Sequence, residues 1–261
     1  MTSLSRKIKL FVSSEFASLL LRRVKKKDRY RRGNIVINNM KIEFIDSLSF
    51  YYQYKEIFNE EIYYFKPSCN SPYIIDCGSN IGLSILFFKK NYPESRIIGF
   101  EPDPSIFSVL KNNISKNNFD NIQLINKAIW INETNLAFTP DGSDGGRISL
   151  NKKTIETVSV PSVCLSDFLN EDVDFLKIDI EGAETAVLQS CKEKLNNIKN
   201  IFIEYHSIAD EKQELHNLLK ILSDVGFRVD IQSISKNKKP FIGRMENYFF
   251  DMQLNIFAYK R

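Results

Sequence analysis

Tyr73-Ile74-Ile75-Asp76-Cys77-Gly78-Ser79-Asn80-Ile81-Gly82, read with Ile97-Ile98-Gly99-Phe100-Glu101-Pro102-Asp103, decides the fold of this chain. In each stretch an apolar run ends in an acid. The first then passes through glycines into a helical pattern. Two such units in succession describe strands of an α/β sheet whose carboxyl ends share one edge, where a nucleoside can be held. Glycines let the backbone approach the ligand, and a carboxylate on the next strand takes ribose hydroxyls.

The alternation continues on the carboxyl side. Strands are expected at 73–77, 96–100, 122–127, 174–179 and 201–205, with helices at 82–90, 104–113, 183–195 and 211–225. The 122–127 strand is expected to run on into Ala128, Ile129 and Trp130. Two final strands, 228–234 and 248–259, have no helix between them and are expected to pair antiparallel at the sheet edge. A hairpin insertion is expected near 131–160. Its tip, Asp141-Gly142-Ser143-Asp144-Gly145-Gly146, reads either as an acceptor-side lid or as a plain turn. It lacks the spaced oxygen ligands and closing Glu of a calcium loop.

On the amino side, Ile35 to Phe44 alternates around Asn38-Asn39, which suits a tight hairpin. Ser47 is expected to cap a helix through Tyr51, Tyr54, Ile57 and Phe58. Leu4, Ile8, Phe11, Val12, Leu19 and Leu20 fall at helical spacing, and the stretch from Arg22 to Arg32 is almost wholly basic. This segment reads either as an arm for an anionic membrane surface or partner, or as a helix packed on the domain with a solvated linker. The expected organisation is an N-terminal extension over 1–70 and a single α/β domain over 71–261.

Charge follows the same division. Residues 1–32 hold eleven Lys and Arg against Glu15 and Asp28, a net of +9, so the rest of the chain carries −5 of the total +4. The domain itself is therefore not basic, which argues against a nucleic-acid-binding catalytic face. A nucleic-acid reading would have to rest on the arm. No apolar stretch is long enough to span a bilayer. Cys69, Cys77, Cys164 and Cys191 form no CxxC pair, so a zinc site is not indicated and a reducing cytoplasm is the simplest setting. If the arm docks on lipid, the position would be peripheral at the inner membrane surface.

The glycine loop is Asp76-x-Gly78-x-Asn80-x-Gly82, not the dinucleotide fingerprint GxGxxG. A carboxylate at that point repels a pyrophosphate but suits a cationic nucleoside such as S-adenosylmethionine. Glu101 follows Asp76 by 25 positions, near the interval of about 20 expected for a ribose-binding acid.

These segments resemble the FkbM-type S-adenosylmethionine-dependent methyltransferases. The resemblance extends, in family order, through Asn126-Lys127-Ala128-Ile129-Trp130, the glycine-rich tip, Val163-Cys164-Leu165-Ser166-Asp167-Phe168 and Phe175-Leu176-Lys177-Ile178-Asp179-Ile180-Glu181-Gly182-Ala183-Glu184. It implies a class I methyltransferase fold, a Rossmann-like, mostly parallel sheet of seven strands with an antiparallel final strand. It also implies O-methylation of a hydroxyl on a sugar, glycan or glycosylated natural product. A lipid or other small-molecule acceptor at a membrane surface is the alternative. By resemblance, Asp76, Cys77, Gly78, Ser79, Asn80 and Gly82 would hold the methionine part of the cofactor. Glu101 and Pro102 would hold the ribose, with Asp103, Asn126, Lys127 and Ala128 near the adenine. Asp179 would face the methyl group.

A sugar hydroxyl is a weak nucleophile, so a base or a metal must assist. Asp179 and Glu181, then Glu204 and His206, follow two expected strands and can reach the crevice. Two mechanisms are open. His206, with an ordinary pKa of about 6.5, or Asp179 would act as a base. Alternatively Asp179, Glu181, Glu204 and His206 would gather a divalent cation, Mg or Mn. His216, on an amphipathic helix, reads as structural.

Overall fold

In the computed structural model, the described residues are 19, 21–25, 30–140, 146–148, 157–209, 211–234, 241 and 249–260. The expected helix at 4–21 lies largely, and residues 26–29 of the basic segment and the tip at 141–145 wholly, outside them.

Five strands form the parallel part of a seven-stranded sheet: β3 (Tyr73–Cys77), β4 (Arg96–Phe100), β5 (Ile122–Ile125), β10 (Val173–Ile178) and β11 (Ile198–Ile208). The order is β12-β13-β11-β10-β3-β4-β5. β12 (Arg228–Ser233) and β13 (Phe250–Tyr259) do pair antiparallel, but β13 slots between β11 and β12, so β12 is the edge. Both faces of β3 and β10 are buried throughout, as central parallel strands require, so Asp76 on β3 and Asp174 and Lys177 on β10 are buried with the apolar residues. Helices α2 (Leu83–Asn91), α3 (Pro104–Lys116), α4 (Glu184–Ser190) and α5 (Leu215–Asp224) complete the layers. His216 is exposed on α5.

The third strand does not continue as expected. At Asn126 the chain leaves the main sheet, because the Asn126 amide is drawn back to the carbonyls of Glu101 (2.8 Å) and Pro102 (3.0 Å). β6 (Ala128–Trp130) instead pairs parallel with β9 (Val158–Cys164) in a second sheet of order β6-β9-β7-β8. There β7 is Asn135–Thr139 and β8 is Arg147–Ile148.

On the amino side, β1 (Gly33–Ile37) and β2 (Met40–Phe44) form the hairpin, with Asn38 (φ 51°) and Asn39 (φ 64°) both left-handed as a two-residue turn demands. Helix α1 (Ser47–Tyr54) is capped by Asp46 rather than Ser47. One carboxylate oxygen accepts both the Leu48 and Ser49 N–H at 2.8 Å, which suits an ionised side chain better than a hydroxyl. The helix then widens into a π-helical turn, Lys55–Asn59.

This extension is packed into the domain. Phe50, Tyr54, Phe58, Tyr63 and Phe65 share a core with Phe87, Phe88, Phe175 and Phe202. Leu21 and Val24 are buried in the same core, so the end of the N-terminal segment lies on the domain. Among the described residues no helix is long and apolar enough to cross a membrane.

Asn113 on α3 joins hairpin and domain. It is fully buried, accepts the Glu43 N–H (2.7 Å), and donates to the carbonyls of Glu43 (2.9 Å) and Ile81 (2.8 Å). Asn113→Ala leaves these three groups without a partner. It is expected to cost about 1–3 kcal/mol, read as a lower urea midpoint at unchanged slope.

Candidate functional site

Register places the candidate residues. Lys177 pairs with Asp76 on one side and with Phe202 on the other. The period of two then puts Asp76, Lys177, Asp179, Phe202, Glu204 and His206 on one face. All are carried to the carboxyl edge of the parallel strands, where the crevice of such sheets lies.

At the centre is the Lys177 ammonium, which donates to the Gly78 carbonyl (2.7 Å) and sits 3.4 Å from Asp76 and 3.3 Å from Asp179. Burial works against its charge, but the carboxylates of Asp179 and Asp76 outweigh that and hold it well above the usual lysine range. Ser84 donates to Asp76 at 2.5 Å. The glycine loop is thereby tied to the end of β10. Gly78 has φ +87°, and a Cβ there would fall 1.9 Å from the Asp179 carbonyl oxygen, so only glycine fits.

Glu101 closes the other side of the loop. Its two oxygens accept the N–H groups of Asn80 and Asp103, each at 2.9 Å. Asn80 reaches this position with φ 47°. Burial pushes the Glu101 carboxyl up to about 8 despite those two bonds.

Two joined compartments open along this edge. The first is lined by Phe100, Glu101, Pro102, Lys127, Ala128 and Phe138. The second is lined by Tyr52, Glu56, Tyr63, Lys177, Glu204 and Gln253. Gln53, Gly78, Asn80, Asp179 and Glu181 border both. The second compartment owes one wall to α1 and the π-helical turn, where Asn255 holds Glu56 at 2.8 Å. Gly146 lines the first compartment beside Phe138.

Several residues expected at the cofactor do not line either compartment. Asp76 and Cys77 are fully buried beneath it, Asp76 spent on Lys177 and Ser84. Gly82 packs against Leu110 behind the loop. Asp103 caps α3 through the Ser105 and Ile106 N–H groups. Asn126 shapes the Glu101–Pro102 backbone. Gly78, Ser79, Asn80, Glu101, Pro102, Lys127, Ala128 and Asp179 do line it.

His206 is not in a loop but inside β11, its side chain 1% exposed. Nδ1 lies 3.0 Å from Glu184, and Nε2 lies 3.5 Å from Glu181 and 3.4 Å from Glu204. The ring packs on Phe250 at 4.8 Å. Burial lowers its pKa, but Glu184, Glu204 and Glu181 together hold it well above the ordinary histidine value. The ring is thus engaged by carboxylates at both nitrogens rather than exposed to the crevice as a free base. Burial also raises Glu181 well above the carboxylate range and Glu204 to about 7. Glu181 is delivered by strained backbone: φ 56°, followed by Gly182 at φ 104°.

Lys177, Glu184, Gln53 and Glu56 were not singled out by sequence reasoning. The first two stand within the Lys177–Glu184 segment, so the motif carried a signal for them. Gln53 and Glu56 carried none, because nothing in their helix links it to a distant strand edge.

The domain described as "Methyltransferase FkbM domain" matches residues 76–229, more than half of the chain. "Methyltransferase 1" of Beauveria bassiana is 29% identical over 219 residues, covering 74% of this chain and 84% of that protein. "2-O-methyltransferase NoeI" of Sinorhizobium fredii is 27% identical, covering 51% and 63%. "Hexuronic acid methyltransferase AglP" of Haloferax volcanii is 24% identical, covering 66% and 70%. The crystal structure of methyltransferase FkbM from Methylobacillus flagellatus superposes with a TM-score of 0.51 at 17% identity, covering 80% of this chain and 50% of that one, which shows a shared fold.

Glu101 gives a test independent of any ligand. Its native carboxyl titrates at about 8, above the ordinary 4.5. Between those values the unfolded chain gives up this proton and the folded chain keeps it, so stability falls as pH rises through the window. Glu101→Gln loses one of the two backbone bonds, because an amide nitrogen cannot accept, but it also removes the titration, so its effect on stability is expected to be roughly a few kcal/mol more favourable above pH 8 than near pH 4. Urea denaturation at the two pH values checks it. An equal effect at both would contradict the assignment.

Proposed function

The chain belongs to the FkbM methyltransferase family and is an S-adenosylmethionine-dependent methyltransferase; on that premise we propose that it methylates a hydroxyl oxygen of a sugar or glycan. One observation carries this reading: two compartments meet at Gly78, Asn80 and Asp179, one shaped for a nucleoside and the other acidic and open to an acceptor. The names of the relatives support it, one a 2-O-methyltransferase and another a hexuronic acid methyltransferase.

On this reading the ribose diol donates to Glu101, whose ionised carboxylate has lone pairs beyond those used by Asn80 and Asp103. The adenine lies towards Pro102, Lys127 and Ala128, and the methionine end towards Gly78 and Asp179. The methyl group then points into the second compartment. The acceptor oxygen bonds to the methyl carbon as the carbon–sulfur bond breaks. The electron pair returns to sulfur, which loses its positive charge, and the hydroxyl proton passes to a carboxylate. Glu204 and Asp179, which line the acceptor side, are the carboxylates in reach, whereas His206 lines neither compartment. A divalent cation, Mg or Mn, belongs to the same reading as the group that would acidify the hydroxyl.

In this division residues 71–261 are the methyltransferase domain, and the extension over 1–70 selects the acceptor through α1. Gln53 and Glu56 are its contribution to the wall.

Three outcomes check the proposal. S-adenosylmethionine affinity, followed by calorimetry, is expected to weaken by up to about tenfold per pH unit below pH 8 as Glu101 protonates. Glu101→Gln should bind weakly and lose that dependence. Glu204→Gln should keep cofactor affinity within a few fold while turnover drops by about 10²–10⁴. Transfer of labelled methyl to a panel of neutral sugars and hexuronic acids should give an alkali-stable ether. An alkali-labile product would mean a carboxyl ester and overturn the hydroxyl assignment.

A further inference from the structure

Resting on that reading of the acceptor compartment, we propose that Asp179, Glu181 and His206 form a divalent-cation site in its Asp179–Glu181 wall, with His206 behind Glu181 and Glu184 as the positioning residue for the imidazole. One ligand atom from each of the three lies within 4.8 Å of the others. Bonds of about 2.1–2.6 Å to one ion span nearly that distance between opposite ligands. Small side-chain movements therefore suffice.

The second observation is independent of proximity. His206 Nε2 and Glu181 Oε2 are both buried and neither has a hydrogen-bond partner. They face each other at 3.5 Å, with Glu204 Oε1 3.4 Å from the same nitrogen and the His206 side chain 1% exposed. Folded proteins rarely leave such atoms unsatisfied, and two orphans facing each other share a need that one cation meets.

The imidazole is also held as a ligand must be. Nδ1 is fixed by Glu184 Oε1 at 3.0 Å, and that oxygen is itself held by the Gly182 N–H at 3.0 Å. A carboxylate on the far ring nitrogen sets tautomer and orientation at metal-bound histidines. Phe250 packs on the ring and fixes its plane. The strained backbone at Glu181 turns that carboxylate back towards Nε2.

Charge points the same way. Glu56, Asp179, Glu181 and Glu204 line the compartment, with Lys177 as the cation among its lining residues. Lys177 is committed to Asp76, Asp179 and the Gly78 carbonyl. The donor set of one imidazole and two carboxylates suits Mn²⁺ better than Ca²⁺ or Mg²⁺, which prefer oxygen alone. An ion there would sit beside the acceptor hydroxyl and lower its pKa.

The test is titration of the full chain with Mn²⁺ alone, read as loss of the free-ion paramagnetic resonance signal, with S-adenosylmethionine affinity measured in parallel. We expect one saturable site per chain. Glu181→Gln, which preserves shape, should abolish it. Glu184→Gln should weaken it by about 10–100-fold, the usual cost of losing the carboxylate behind a metal-bound histidine. Glu184→Gln should bind S-adenosylmethionine as the parent does, and Glu181→Gln should keep the parent's far-ultraviolet circular dichroism, which shows that both fold. No saturable Mn²⁺ binding in a chain that binds S-adenosylmethionine would overturn the site. So would Mn²⁺ binding that Glu181→Gln leaves unchanged. Mn²⁺ binding without cofactor binding would support the cation site and sink the functional reading instead.

Discussion

The buried ammonium of Lys177 is the interaction on which the site depends. Asp76 is fully buried, and an unpaired carboxylate there would be prohibitive. Lys177 makes it tolerable, and its remaining contacts draw the Gly78 carbonyl and Asp179 to the same point. Breaking such a pair by removing one partner typically costs about 3–5 kcal/mol. One side chain therefore couples the folding of the glycine loop to the position of the group at the junction of the two compartments.

Beyond that point the site is electrostatically unfavourable by construction. Glu101 is pushed up to about 8 and Glu204 to about 7 by burial, while Glu181 is raised well above its ordinary range. A protein selected for stability alone would not crowd acids in this way. Such cost is usual where a ligand supplies the missing partner. The two ends of the crevice differ in what they lack. At the nucleoside end Glu101 retains free lone pairs, which hydroxyl donors can use. At the acceptor end orphaned atoms of Glu181 and His206 face one another.

The legible parts of the chain were those whose chemistry is local. The apolar runs of β3 and β4, the Asn38-Asn39 turn and the acids at strand ends are each dictated by a few neighbouring residues. Asp76 shows the limit. Its motif was visible, but whether its carboxylate faces the ligand or the core depends on Lys177, about a hundred positions away. His206 shows it again. As a lone histidine after an apolar strand it reads as a base, but the fold sets it among three carboxylates, Glu181 and Glu184 from one other segment and Glu204 from its own strand.

By itself, the sequence determined the alternating α/β order, the crevice at the carboxyl edge and the family, because periodicity and motif spacing are properties of the chain taken a few residues at a time. Tertiary structure alone decided three things: the insertion of β13 between β11 and β12, the departure of the chain at Asn126 into a second sheet, and the wall that Gln53 and Glu56 add to the acceptor side. It also decided the surroundings that raise the pKa values of His206 and Glu101. Each of these depends on which groups, remote in sequence, are brought together away from water, and burial and pairing of that kind have no local signature.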